Sequence, residues 1–199
     1  MNFRLAFLAL LLLASCGKGP RLDPLGPNDV VLSFGDSLTF GTGAAPAESY
    51  PARLEALIGR KVVNAGVPGE TSAEGLTRLP EVLEEVKPKL LILCHGGNDF
   101  LRKLGEPQAA ANVRAMIKLA REQRIPVVLI ATPKPGLSIS APPFYAEIAK
   151  ENGLPFNDSA LKSVLGDNAL KSDLVHPNAK GYAQIADELA RLLKKAGAV

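Results

Sequence analysis

The sequence predicts an α/β domain of three layers, α/β/α, around a mostly parallel central sheet of about five strands. Three observations carry this. Strand-like apolar runs alternate with segments of helical periodicity from Val30 onward. The runs Leu90–Cys94 and Val127–Ala131 are apolar at every position, as strands covered on both faces are. The connections are short, so each helical segment serves as the crossover that parallel strands require. In an open sheet of this kind, ligands lie beyond the carboxyl ends of the strands. The residues at those ends are Ser37, 65–70, 95–99 and 131–133.

Val30-Val31-Leu32 opens the first strand, which stops at Phe34-Gly35-Asp36-Ser37-Leu38-Thr39 and leaves through Gly41-Thr42-Gly43. Tyr50-Pro51 starts a helix with proline in its first turn and Gly59 closes it, placing Leu54, Leu57 and Ile58 on one face. Lys61–Ala65 is the second strand. Thr71 or Ser72 caps the next helix, and Glu74 is placed for a capping box with Thr71. Pro80 inside that stretch is expected to kink or divide it. Leu90–Cys94 is the third strand. Pro107 begins a helix in which Val113, Met116, Ile117 and Ala120 keep helical spacing. Val127–Ala131 is the fourth strand. The loop from Thr132 to Pro143 holds four prolines and one glycine and is read as irregular. Phe144–Glu151 is helical, Leu154-Pro155-Phe156 is a short edge strand, and Asn178 caps the last helix, with Tyr182, Ile185, Ala186 and Leu189 on its buried face.

The 199 residues, with 22% charged and 47% hydrophobic, suit one globular domain. A net charge of +3, with no basic cluster or aromatic platform, argues against nucleic acid as a partner. At the amino terminus a positive head, Met1–Arg4, precedes a nine-residue apolar run, Leu5–Leu13. That run is short of the ~20 residues a membrane span needs. Leu13-Ala14-Ser15-Cys16 resembles a bacterial lipobox. The resemblance implies cleavage before Cys16 and lipidation of that cysteine, giving an exported lipoprotein held on a membrane and facing the periplasm or cell exterior. The chain then divides into a signal peptide (1–15), a Pro/Gly-rich tether (16–28) and a domain (29–199). Cys94 is the only other cysteine, so no disulfide framework is expected, and its apolar surroundings suit a buried, inert thiol over the alternative of a nucleophile, since nothing nearby would favour a thiolate.

Several strand-end residues admit two readings each. Ser37 fits a nucleophile at the lip of the crevice and equally a turn or helix cap. Asn98, in His95-Gly96-Gly97-Asn98-Asp99, can donate an amide into the crevice or cap a turn. Gly69 can offer a bare backbone N–H or be a plain turn glycine. His176 follows Asp173 by three residues, so the carboxylate can reach the ring from its own turn. Alternatively, His176 caps the last helix. Asp36 and Asp99 are read as loop caps, and His95 as a structural histidine closing the third strand, with a place beside the site or a role as second base as its alternatives. No cofactor is expected. Nor is a metal, since two histidines with Asp173 make no ligand spacing.

Taken together, Gly35-Asp36-Ser37-Leu38, Gly69, Gly97-Asn98-Asp99 and Asp173-x-x-His176 resemble, in order and near spacing, the four blocks of the SGNH, or GDSL-type, hydrolases. Val62-Val63-Asn64-Ala65, Gly69-Glu70-Thr71-Ser72 and Gly75–Pro80 further resemble the subgroup of bacterial acyl-CoA thioesterase/lysophospholipase and arylesterase proteins. The resemblance covers Val30 to the C-terminus and implies a flavodoxin-like arrangement. It implies Ser37 as nucleophile, His176 as base and Asp173 as the acid that orients it. The N–H groups of Ser37 and Gly69, with the Asn98 amide, would form the oxyanion hole. Thr39 stands where a Gly-x-Ser-x-Gly elbow would carry its second glycine, which argues against an ordinary α/β-hydrolase fold. The expected chemistry is hydrolysis of acyl or aryl esters through an acyl-enzyme, with thioesters and lysophospholipids as related substrates. Expected pocket walls are 100–104 and 132–144, where Phe100, Leu101, Leu137, Ile139 and Phe144 are apolar. A carbohydrate O-acetylesterase and a non-catalytic binding lipoprotein on the same fold are the alternatives.

Overall fold

The computed structural model describes residues 19–136 and 139–199. Cys16, the apolar run before it and Leu137 lie outside the described residues. Five strands, β1 (Val30–Gly35), β2 (Lys61–Gly66), β3 (Leu90–Cys94), β4 (Val127–Ile130) and β5 (Phe156–Asn157), form one sheet in the order β2-β1-β3-β4-β5. Every pairing is parallel. This is the flavodoxin-like order, and its direction reverses between β1 and β3, where a crevice opens at the carboxyl ends.

The central strands are apolar throughout, yet their side chains still alternate between two cores. Val31, Leu90, Ile92, Val128 and Ile130 pack against α2 (Tyr50–Ile58), α7 (Ala160–Gly166) and α8 (Ala179–Ala196). Leu32, Phe34, Leu91, Leu93, Val127 and Leu129 pack against α3 (Ser72–Val86), α5 (Glu106–Glu122) and α6 (Phe144–Asn152). Both sheet faces are therefore covered, which is why these strands carry so little polar alternation.

Most expected boundaries hold. Thr71 and Glu74 form the capping box of α3, and Asn178 caps α8 by accepting from the Lys180 and Gly181 N–H groups. Three expectations change. Pro80 does not divide α3, which runs unbroken over 15 residues. Its ring lies on the exposed face, where water can serve the Leu76 carbonyl that proline leaves without a donor. Leu57 is 52% exposed and is not part of the buried face that Leu54 and Ile58 form. The edge strand is shifted to Phe156–Asn157 and shortened to two residues. Three short helices were not anticipated: α1 (Ser37–Phe40), α4 (Gly97–Leu101) and α7.

Of the segment 16–28, the described part is bound to the domain. The Leu22 and Leu25 N–H groups donate to the Ala196 and Ala198 carbonyls, and Arg60 donates to the Leu25 carbonyl. Leu25 is buried. This attachment lies at the edge where the strands begin, opposite the edge that carries Ser37.

Candidate active site

β1 ends at Gly35, and Asp36 turns the chain into α1, its carboxylate capping the helix by accepting from the Leu38 N–H at 3.0 Å. Ser37 is thus the first residue of a helix, where backbone N–H groups have no intrahelical acceptor. The loop that follows is pinned on both sides. Thr39 meets the Tyr50 hydroxyl at 3.0 Å, and Tyr182 donates to the Thr42 carbonyl at 2.9 Å. Gly43 sits against Ser172 and Pro177 so closely that a Cβ there would run into both. Small residues at this point let the serine loop approach the segment before α8.

That segment brings Asp173 and His176 to Ser37 across 139 residues of sequence. Asp173 Oδ1 accepts from the Val175 and His176 N–H groups, each at 2.8 Å, which closes a tight turn. Its Oδ2 lies 2.8 Å from His176 Nδ1, and His176 Nε2 lies 3.0 Å from Ser37 Oγ. With Nδ1–H donating to the carboxylate, Nε2 is left as the acceptor that faces the hydroxyl. Partial burial works against the Asp173 charge, but the Val175 N–H and the His176 ring and N–H hold its carboxyl below the ordinary range. Such a relay can withdraw a proton from a serine hydroxyl and hold the imidazolium that results.

Asn98 lines the crevice, and the Gly69 turn adjoins it through Glu70 without itself lining it. Val67–Glu70 forms a turn closed by the Glu70 N–H on the Val67 carbonyl, with Pro68 second and Gly69 third at φ 81°. A positive φ at the third position after proline is the type II pattern, which only glycine enters without strain. The Gly69 N–H has no intramolecular acceptor among the described residues. The Val67 N–H donates to the Gly35 carbonyl at 3.0 Å, so this turn is tied to the end of β1. Asn98, in α4, lines the cleft with Ser37 and His176, and its amide donates to the Glu70 carbonyl at 2.9 Å.

The remaining expectations divide. Asp36 is a cap, as read. Asp99 acts across loops: it accepts from the Ser72 N–H at 2.8 Å and hydroxyl at 2.6 Å, and so binds the start of α3 to α4. Cys94 is buried, and burial pushes its thiol up to about 12, which disqualifies it as a nucleophile at neutral pH. His95 closes β3 fully buried and does not line the cleft. Of the expected walls, Leu101 and Ile139 line the cleft. Phe100 and Phe144 pack on each other instead, with ring centroids 6.4 Å apart. Leu38, Leu165, Leu174 and Val175 add apolar lining, and Lys134 stands among them, paired with Glu106. Leu165 belongs to α7, which was missed although Ala160, Leu161, Val164 and Leu165 keep helical spacing after a capping Asn157. The cluster of Glu70, Arg78 and His95 beneath the Gly69 turn was also missed. Its one signal was an arginine eight residues after a glutamate, at the second turn of a capped helix.

Comparison with known proteins matches residues 33–184 to the GDSL-like Lipase/Acylhydrolase family. The esterase TesA of Pseudomonas aeruginosa is 34% identical over 140 residues, covering 68% of this chain and 66% of that protein. Thioesterase 1/protease 1/lysophospholipase L1 of Escherichia coli K12 is 29% identical over 174 residues, covering 83% and 84%. A crystal structure of TesA superposes with a TM-score of 0.75 at 27% identity, over 84% of this chain and 99% of that one. With Ser37, Asn98 and His176 on one cleft, Asp173 bonded to His176 and the family match spanning most of the domain, the chain belongs to the GDSL-like lipase/acylhydrolase family.

Proposed function

We propose that Ser37, His176 and Asp173 are the catalytic triad of a serine ester hydrolase, with the Ser37 and Gly69 N–H groups and the Asn98 amide as its oxyanion hole. The observation that carries this is the continuous relay from Ser37 Oγ through both ring nitrogens of His176 to Asp173. The chain is a carboxylic ester hydrolase. In the first half-reaction Ser37 Oγ bonds to the carbonyl carbon while its proton passes to His176 Nε2. The charge that develops on the carbonyl oxygen is met by preorganised donors. The C–O bond to the alcohol then breaks, and the alcohol leaves with the proton from His176. In the second half-reaction water attacks the acyl-enzyme and gives its proton to His176, which returns it to Ser37 as the carboxylic acid departs.

The apolar lining supports acyl or aryl esters, with thioesters and lysophospholipids as substrates of the same geometry, over the hydroxyl-rich surface of a polysaccharide acetate. The lipobox-like Leu13–Cys16 supports an exported protein anchored through a lipidated Cys16 and facing the periplasm or cell exterior. The test is hydrolysis of a short nitrophenyl ester by the full-length chain, together with fluorophosphonate labelling. Activity and labelling are expected in the native chain and absent from Ser37→Ala, and activity surviving in that variant overturns the assignment. Retention of Cys16→Ser in the detergent phase to the same extent as the native chain overturns the anchor.

A further inference from the structure

Beneath the Gly69 turn lies a buried ionic cluster that the reaction scheme does not use. The Glu70 carboxylate receives Arg78 Nε and Nη2, each at 2.7 Å, and His95 Nε2 at 3.0 Å. Arg78 is fixed in turn, donating to the Ala65 carbonyl at 3.0 Å and lying over the Phe34 ring at 4.2 Å. His95 is fully buried, and its Nδ1 has no partner among the described residues. A ring in this setting donates from Nε2 and leaves Nδ1 as a bare lone pair. Burying a polar ring with one partner costs stability, so closing a strand of leucines does not call for it. The surroundings are nevertheless shaped to receive it. Gly75 on α3 faces the ring so closely that any Cβ would collide with Nε2, and Tyr145 fixes the His95 carbonyl at 2.6 Å.

The same Glu70 also holds the Asn98 amide through its backbone carbonyl. Gly69 and Asn98 sit on loops after β2 and β3, which are not neighbours, since β1 separates them. Their relative placement therefore depends on cross-links between the loops. These are Glu70 carbonyl to Asn98, Glu70 carboxylate to His95, Ser72 to Asp99, and Arg102 Nη2 to the Gly69 carbonyl at 2.6 Å. Two of the four converge on Glu70, which is gripped by one loop at its backbone and at its side chain.

We propose that His95 is a positioning residue for the oxyanion-binding groups: by fixing the Glu70 carboxylate against the end of β3, it aims the Gly69 N–H and, through the Glu70 carbonyl, the Asn98 amide. This rests on the roles assigned above to Ser37, Gly69 and Asn98. His95 acts through these groups and does not meet the substrate.

The experiment is a double-mutant cycle in the full-length chain on a nitrophenyl ester, with reactive enzyme counted by fluorophosphonate labelling. His95→Leu removes the donor, and His95→Gln replaces it with an amide of similar reach. His95→Leu is expected to lower kcat roughly 10–100-fold with KM within about 2-fold, because misaimed donors act on the transition state. His95→Gln is expected to stay within about 3-fold of the native rate, since the amide nitrogen donates from nearly the same place. In an Asn98→Ala background the same His95→Leu change should cost at least about 3-fold less than in the native chain, since only the Gly69 N–H is then left to misaim. A full multiplicative loss in that background, a loss confined to KM, or no loss at all overturns the proposal. If His95→Leu does not fold, Glu70→Gln, which weakens the acceptor but keeps the carbonyl, replaces it under the same criteria. Full ester hydrolysis by Ser37→Ala marks instead a failure of the site assignment, independently of any His95 result.

Discussion

The side-chain amide of Asn98 is held by the backbone carbonyl of Glu70, at 2.9 Å, while the same side chain lines the cleft beside Ser37. An amide nitrogen carries two hydrogens, and this contact uses one. The other is available to a developing oxyanion. Asn98→Ala is expected to lower kcat by ~10²–10³ with little change in KM, the size of effect that follows loss of one oxyanion donor. Steady-state kinetics on a nitrophenyl ester check this, and a change in KM alone would count against it.

Asp173 is half exposed, yet it makes three hydrogen bonds, two of which set its own turn. Its removal should act on catalysis more than on folding. Asp173→Ala is expected to lower kcat by ~10²–10⁴, in the range of general acid–base contributions, and to lower the melting temperature by only a few degrees, the scale of one lost cap. Kinetics and a thermal melt of the same preparation test both halves.

Glu70 should make the protein acid-sensitive. Burial opposes its charge, but Arg78 and His95 outweigh this and hold its carboxyl at about 2, below its ordinary 4.5. A depressed acid stabilises the fold above its unfolded value, and the contribution is lost as pH falls from about 4.5 toward 2. The contribution at neutral pH is up to about 3 kcal/mol. Denaturant titrations at pH 6 and pH 3 should show a steeper loss in the native chain than in Glu70→Gln, whose stability is lower at pH 6 and flatter between the two.

Gly35 is the hinge between β1 and the serine turn, and a Cβ there would run into the Cys94 carbonyl and the Thr39 hydroxyl. Gly35→Ala is expected to destabilise the protein by about 1–3 kcal/mol, as overpacking in a tight core does. It should also slow the enzyme, since Thr39 braces the loop after Ser37. A lowered denaturation midpoint together with a reduced rate per labelled serine checks the pair of effects.

The cleft walls predict a chain-length effect. Ile139 and Leu165 line it from different segments. Ile139→Ala and Leu165→Ala are expected to raise KM for hexanoyl esters roughly 5–20-fold while leaving acetyl esters within about 2-fold, the scale of lost methylene contacts in an apolar pocket. Equal effects on both esters would place the acyl chain elsewhere.

The sheet was legible because strands covered on both faces must be apolar throughout, and β3 and β4 are. The contact between Asp173 and His176 was legible because the two sit three apart before a proline, a spacing that one turn closes. Less was legible where tertiary contacts decide. α4 is too short for an apolar period to mark it, and α7 carries only one short stripe, Ala160, Leu161, Val164 and Leu165, which is easily passed over. Pro80 broke nothing because its face is solvent-exposed, and exposure is not visible in a local pattern. Leu57 fitted the helical stripe of α2 and still faces outward. The Glu70–Arg78–His95 cluster joins residues 25 apart or less, yet each looked ordinary alone. Only the fold puts His95 against Gly75.

Leu22 and Leu25 stitch the incoming chain to the end of α8, at the edge where the strands start, whereas Ser37 lies where β1 finishes. Whatever is fastened ahead of Gly19 therefore grips the molecule by its far pole. A resin, a fused partner or a bilayer attached there leaves the mouth turned outward to solution. Ester molecules then arrive from the bulk liquid without crossing the support.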